Sequence, residues 1–173
     1  MKASKTKLEG VMQFEPQVFE DFRGRYVEIF NKELYAGLGV AVDFVQDDIS
    51  VSMKNVLRGI HGDENTWKLI SCLQGTFYLV VVNCDTDSKN FGKWEGFTLS
   101  DRNRKQILVP PRHGNAHLVM SDTAIFHYKQ STYYSGAEKQ FTYRWDNPKF
   151  AIWWPIENPV LSQRDELGKF LPT

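Results

Sequence analysis

The stretch NVLRGIHGDENTWKLISCLQG, residues 55–75, sets Arg58, His61 and Lys68 within or beside apolar runs. Together these side chains suit one kind of chemistry. A guanidinium holds an anionic group, an imidazole takes a proton near neutral pH, and an ammonium stabilises negative charge as it develops. If WKLISCL is a strand, Lys68 shares a face with Ile70 and Cys72. An ammonium in so apolar a row is costly to bury without an anionic partner or ligand. A lysine snorkelling at a strand end is the plain alternative. The same alternation sets Val56, Arg58 and Ile60 on one face and Leu57, Gly59 and His61 on the other. Arg58 and His61 therefore point apart unless the chain bends at Gly59. Either the glycine marks a bulge, or the two residues work from different sides of a pocket.

A second cluster is PPRHGNAHLVMS, residues 110–121. Pro110 and Pro111 stiffen the approach, Gly114 permits an unusual turn, and His117 opens the next strand as a ligand or catalytic candidate. His113 is expected in the loop and exposed. A third is YKQSTYYSGAEKQFTYRWDNP, residues 128–148, where Tyr134 offers a phenol. Buried tyrosines are also ordinary packing residues in an aromatic-rich chain. Asp165 in LSQRD can orient an imidazole or stand as a solvated carboxylate. His61, Asp63 and His117 could form a three-ligand metal site, but Lys68 falls where an acidic ligand is needed. A protonated ammonium cannot ligate and repels a cation, so no metal is expected.

The elements that must position these groups are short β-like runs between turn residues. They cover residues 11–14, 25–30, 43–46, 55–60, 67–73, 76–84, 94–99, 106–110, 117–120, 123–130 and 149–154. Such spacing indicates a sandwich or barrel. YLVVV is apolar on both faces, as in a central strand covered on two sides. Helix is scarce: NKELYAG (31–37), with Asn31 as N-cap and Gly37 as stop, and a further turn in SQRDELGKF (162–170). The expectation is an all-β fold over one domain, residues 1–173.

Of 173 residues, 42% are hydrophobic and 21 of each charge sign cancel, so neither nucleic acid nor a membrane surface is favoured as partner. No run approaches the roughly 18 apolar residues of a membrane span. The start MKASKTKLEGV lacks the apolar core of a secretion signal, and Cys72 and Cys84 sit in apolar runs as reduced thiols do. A cytoplasmic protein is expected.

With those residues in place, the chain resembles the dTDP-4-dehydrorhamnose 3,5-epimerase family of cupin-fold sugar-nucleotide epimerases. The likeness runs in order through DFRGRYVEIF, QDDISVS, LRGIH, WKLISCLQGTFYLVVVNCD, GNAH, YKQSTYY, WDNPKFAIWWP and LSQRD. It implies a jelly-roll barrel with short peripheral helices, a homodimer with an exchanged N-terminal strand, and no cofactor. It implies His61 as general base held by Asp165, Tyr134 as the acid on the opposite face of the sugar, and Lys68 with His117 at the enolate oxygen. Arg58 would hold the diphosphate of a nucleotide-linked 4-keto sugar, and Gln46 would contact the same ligand. Arg23 and Glu28 would reach it from the partner subunit. Two departures stand out: Gly62 and Asp63 replace an aromatic and a glutamine, and GNAH replaces a glycine–aromatic–alanine–histidine pattern. They look more like a branch acting on GDP-linked 4-keto-heptoses, with Asp63 at the substrate. Inversion at both C3 and C5 is expected from the presence of Tyr134. Inversion at C3 alone, a 3,4-ketoisomerase and a non-catalytic sugar-nucleotide barrel are the alternatives.

Overall fold

The computed structural model describes residues 1–169. Among these, the strands are β1 Lys2–Lys5, β2 Met12–Glu15, β3 Val18–Asp21, β4 Gly24–Val27, β5 Gln46–Met53, β6 Leu57–Gly62 and β7 Lys68–Gln74. They continue with β8 Thr76–Asn83, β9 Trp94–Ser100, β10 Gln106–Val109, β11 His113–Val119, β12 Thr123–Gln130 and β13 Phe141–Thr142. The helices are α1 Lys32–Gly37 and α2 Gln163–Glu166, with one 3₁₀ turn at Ala137–Lys139. Phe170, the last residue of the expected tail turn, lies outside the described residues.

Two antiparallel sheets face each other in the jelly-roll manner. One runs β1-β2-β10-β7-β12-β5 and the other β13-β6-β11-β8-β9, while β3 and β4 form a separate hairpin. Inward side chains of both sheets meet in one core: Ile70, Ile107 and Phe126 from the first, Leu79, Val81 and Leu99 from the second. The outer face of the second sheet is also covered. Val80 and Val82 of β8 pack there with Phe150, Ile152 and Trp154, which is why YLVVV is apolar throughout. On the first sheet, α1 and its flanks lay Tyr35 and Val40 over Leu69 and Leu108.

Several elements differ from the sequence expectation. Residues 149–154 form no strand; after the turn at Asn147 and Pro148 they lie across the second sheet as a cover. Residues 43–46 are not a strand of their own, because β5 starts at Gln46 and continues to Met53. Its pattern is inverted: Ser50 and Ser52 are the more sheltered members while Ile49, Val51 and Met53 are 61%, 59% and 71% exposed. His113 is not in an exposed loop. It opens β11 and is buried, its Nδ1 3.1 Å from the Pro111 carbonyl. Asn31 caps α1 as expected, accepting from Leu34 N–H at 3.1 Å, but the C-cap is Leu38 and Gly37 is still helical.

Candidate active site

A cavity of about 300 Å³ opens between the sheets and is lined by Arg58, His61, Lys68, Asn115, His117, Tyr134 and Asp165, among others. The strand alternation that set Arg58 and His61 apart is broken at Gly59. Pairing between β6 and β11 joins Asn115 to His61 and His117 to Arg58, so the register shifts by one residue between the two contacts. The Gly59–Ile60 peptide is cis, and Gly59 has φ +119°. A Cβ there would lie 2.5 Å from the Asn115 carbonyl oxygen and 2.6 Å from Ala116 Cα, so only glycine fits. The bulge turns Arg58 and His61 into one cavity.

His61 is held from a distant part of the chain. Val160 forms a parallel bridge with Val56 and accepts from Leu57 N–H at 3.0 Å, which delivers α2 beside β6. Ser162 caps α2, and its hydroxyl donates to Asp165 Oδ2 at 2.7 Å. The other carboxylate oxygen, Oδ1, meets His61 Nε2 at 2.6 Å and accepts from Gly59 N–H at 3.2 Å. Since Asp165 can only accept while ionised, Nε2 carries the proton and Nδ1 is left with the lone pair. Burial pushes Asp165 upward, but the bonds from His61, Ser162 and Gly59 outweigh it and hold the carboxyl below its usual value. Burial also pushes His61 below its ordinary value, against the pull of Asp165, with Arg164 and Lys68 adding to the lowering. A neutral imidazole at neutral pH is the result.

Lys68, only 7% exposed, stands on β7 of the opposite sheet. Burial pushes its ammonium down to about 8, Asp63 opposing and Arg164 assisting. Its Nζ donates to Asn115 Oδ1 at 3.2 Å. His117 is 3% exposed and stacked on Phe126, with ring centroids 4.0 Å apart and planes 9° from parallel. Burial, with Arg58 and His61 nearby, drives His117 down to about 3, so this ring is neutral. Its Nε2 is buried without a hydrogen-bond partner among the described residues. Arg58 is oriented by its Nε donating to Ser52 at 3.0 Å. Tyr134 is 49% exposed at the cavity mouth, and its backbone N–H donates to Gln46 Oε1 at 2.9 Å.

Six of the ten site residues named from the sequence thus line one cavity, and Gln46 holds the loop that carries one of them, Tyr134. Asp63 does not line it. Its Oδ1 accepts from the N–H groups of Asn65 and Thr66 in a tight turn, and the residue borders a neighbouring hollow that shares Tyr134 and Gln140. Arg23 and Glu28 are exposed and also absent from the cavity wall; Arg23 pairs with Asp21 at 2.6 Å on the β3–β4 hairpin. Other residues of the wall were not named as site residues, Asn115, Gln140 and Arg164 among them. Asn115 stands two residues before His117 on β11, but it fell outside the run 117–120 read from the sequence. Arg164, fixed by Thr142 and Gln140 at 3.0 and 3.1 Å, had no periodic signal. Among the described residues no group of three His, Cys, Asp or Glu side chains is placed to hold a metal ion. The carboxylate that would complete such a set with His61 and His117, Asp63, is turned into its own loop. A larger groove of about 640 Å³, beside the β1–β2 turn, has no histidine among its lining residues.

The cavity combines a neutral imidazole with a carboxylate behind it, a buried ammonium and a phenol. That set can remove a proton from carbon, hold the resulting oxyanion and return a proton. Comparison with known proteins agrees in kind. Residues 5–172 match the family model described as dTDP-4-dehydrorhamnose 3,5-epimerase. The protein of that name from Escherichia coli K12 is 40% identical over 171 residues, covering 96% of this chain and 92% of its own. A dTDP-6-deoxy-D-glucose-3,5-epimerase from Legionella pneumophila, crystallised with dTDP-4-keto-L-rhamnose, superposes with a TM-score of 0.93 at 35% identity, covering 98% of this chain and 92% of its own. A 3′-monoepimerase from Streptomyces bikiniensis, crystallised with dTDP-quinovose, gives 0.89 at 29% identity, covering 95% and 85%.

Proposed function

Because the chain belongs to the dTDP-4-dehydrorhamnose 3,5-epimerase family, we propose that it epimerises a nucleotide-diphosphate-linked 4-keto sugar, without a cofactor, at C3 and C5. The observation that carries this reading is that His61 with Asp165, and Lys68, line the same cavity although they stand on opposite sheets. A C–H beside a ketone is a weak acid, and its removal moves charge onto the ketone oxygen. His61 Nδ1 takes that proton. Lys68 and the neutral His117 stabilise the oxygen where charge appears, inside a site with little water to screen them. Asp165 stabilises the imidazolium that forms. Tyr134 returns a proton from the other face and completes inversion. The electron pair goes from C–H to enolate and back, so no redox partner is required.

Arg58 holds the diphosphate in this reading. The dTDP series is the first candidate because the relatives above carry that nucleotide. A GDP-linked 4-keto-heptose is the second reading, resting on the sequence departures at Gly62, Asp63 and GNAH. We extend the proposal to a homodimer with an exchanged N-terminal strand. Within one chain β1 pairs with β2, while Phe19, Phe22 and Tyr26 of the β3–β4 region are 53%, 98% and 67% exposed. Together with the apolar outer row of β5, they suit cover by a second copy that brings Arg23 and Glu28 to the cavity. The buried, unpaired thiols of Cys72 and Cys84 support a cytoplasmic location. Among the described residues no helix is long and apolar enough to cross a membrane.

The test is incubation with dTDP- and GDP-linked 4-keto sugars in deuterated water, read by NMR. Deuterium at C3 and C5 with inverted products supports the proposal. Exchange confined to C3 makes the protein a monoepimerase, movement of the carbonyl to C3 a ketoisomerase, and tight binding without exchange a non-catalytic barrel.

A further inference from the structure

Asn115 sits between the two groups on which the reaction depends. It is the direct cross-strand partner of His61 in the β6–β11 pairing, so the two side chains project together from one sheet. From there its Oδ1 reaches Lys68 Nζ, on the other sheet, at 3.2 Å. Among the described residues it is the ammonium's one hydrogen-bond partner. An ammonium only donates, so the amide oxygen must face it and the orientation of the carboxamide is decided. Asn115 is 8% exposed and Lys68 7%, so water has little room to replace the contact.

We propose that Asn115 is the positioning residue of Lys68, its carboxamide oxygen fixing the ammonium relative to His61 so that base and oxyanion stabiliser address neighbouring atoms of one substrate. The inference rests on the enolate reading above. Removal of a proton from the carbon beside a carbonyl is productive only when the cation already stands at the carbonyl oxygen, because reorganisation of a flexible four-carbon stem would add to the barrier. A neutral acceptor suits the task better than a carboxylate. It favours the charged form of the lysine while leaving the positive charge uncancelled for the substrate. The other groups near the ammonium divide by sign: Asp63 favours the charge; Arg164 from α2 opposes it; and His61 and His117 at the cavity wall are neutral near pH 7. The phenols in the wall are Tyr128 of β12 and Tyr134 of the loop after it.

The test compares native protein with Asn115→Leu and the near-isosteric Asn115→Asp, with two readouts. The first, needing no substrate, is the Lys68 titration followed by NMR of carbon-13-labelled lysine, its signal assigned from Lys68→Met. The midpoint is expected to fall by about one pH unit in Asn115→Leu and to rise in Asn115→Asp. The second is the rate of solvent-deuterium exchange against pH. Asn115→Leu should lose about tenfold to a hundredfold in kcat with little change in KM, its alkaline limb moving with the Lys68 midpoint. A Lys68 midpoint unchanged in both variants overturns the proposal, as does a uniform loss of rate with the alkaline limb in place. Should native protein show no exchange, the enolate reading fails by itself, and the NMR titration still decides whether Asn115 governs Lys68.

Discussion

His61 Nε2 and Asp165 Oδ1 lie 2.6 Å apart, although 104 residues separate them in the chain. The same carboxylate oxygen also receives Gly59 N–H, so the bulge that turns His61 into the cavity and the anion that fixes its tautomer are tied at one atom. Asp165→Asn replaces an acceptor with a group that can present its N–H to Nε2. The wrong tautomer then becomes available, and kcat is expected to fall about 10²–10⁴-fold with binding little changed. Exchange kinetics beside nucleotide titration checks this, and a fall in affinity as large as the fall in kcat counts against it.

His61→Asn keeps a polar side chain of similar reach but no base. Deuterium incorporation should vanish at both carbons, a loss of at least about 10³-fold, while dTDP affinity measured by calorimetry stays within a few fold. Persistent exchange at either carbon places the base elsewhere.

Tyr134→Phe removes the proposed acid and leaves the proposed base, His61, in place. Wash-in of deuterium with retention of configuration should outlast completed inversion, so the ratio of exchange to inversion rises by about tenfold or more. Equal losses in both rates exclude Tyr134 as the proton donor.

The pH dependence follows from two shifts of one direction. His61 must be neutral, and its value is lowered, so the acid limb of kcat/KM lies below the ordinary histidine midpoint of 6.5. Lys68 must be charged, and burial brings it to about 8, so activity declines as pH rises through that value. The expected profile is a bell between these limits. An alkaline limb near the ordinary lysine value would contradict it.

Gly59→Ala tests the bulge. The new Cβ meets the Asn115 carbonyl and Ala116 backbone at a residue held at φ +119°. About 3 kcal/mol or more should be lost from folding stability, read by urea unfolding monitored through tryptophan fluorescence. A loss under about 1 kcal/mol would mean the backbone can relax there at little cost.

Much of this site could be read from the sequence because its chemistry is concentrated in residue types that are expensive in apolar strands. Lys68 between Trp67 and Leu69, and His117 before Leu118, announce themselves on that ground. The shared orientation of Arg58 and His61 could not be read, because a one-residue register shift is a property of the β6–β11 pairing and not of either strand alone. Gly59 marked the place without deciding the outcome. The inward row of β5 was hidden for a different reason: its serines shelter while its isoleucine, valine and methionine face outward, reversing the usual pattern. Residues 149–154 read as a strand because a cover segment is as apolar as the sheet beneath it. Asn115 was passed over since an asparagine between glycine and alanine looks like turn punctuation, and only its contact with Lys68 gives it a task.

The base and the ammonium belong to different sheets, so their separation is set by the thickness of the hydrocarbon layer that keeps those sheets apart. Ile70 and Ile107 meet Leu79 and Val81 across that layer. Trimming or enlarging such a side chain would widen or narrow the gap between proton acceptor and charge sink without altering one atom of the cavity lining. Turnover in this molecule is therefore tunable from its greasy interior, and laboratory selection for faster variants should find many of its hits there.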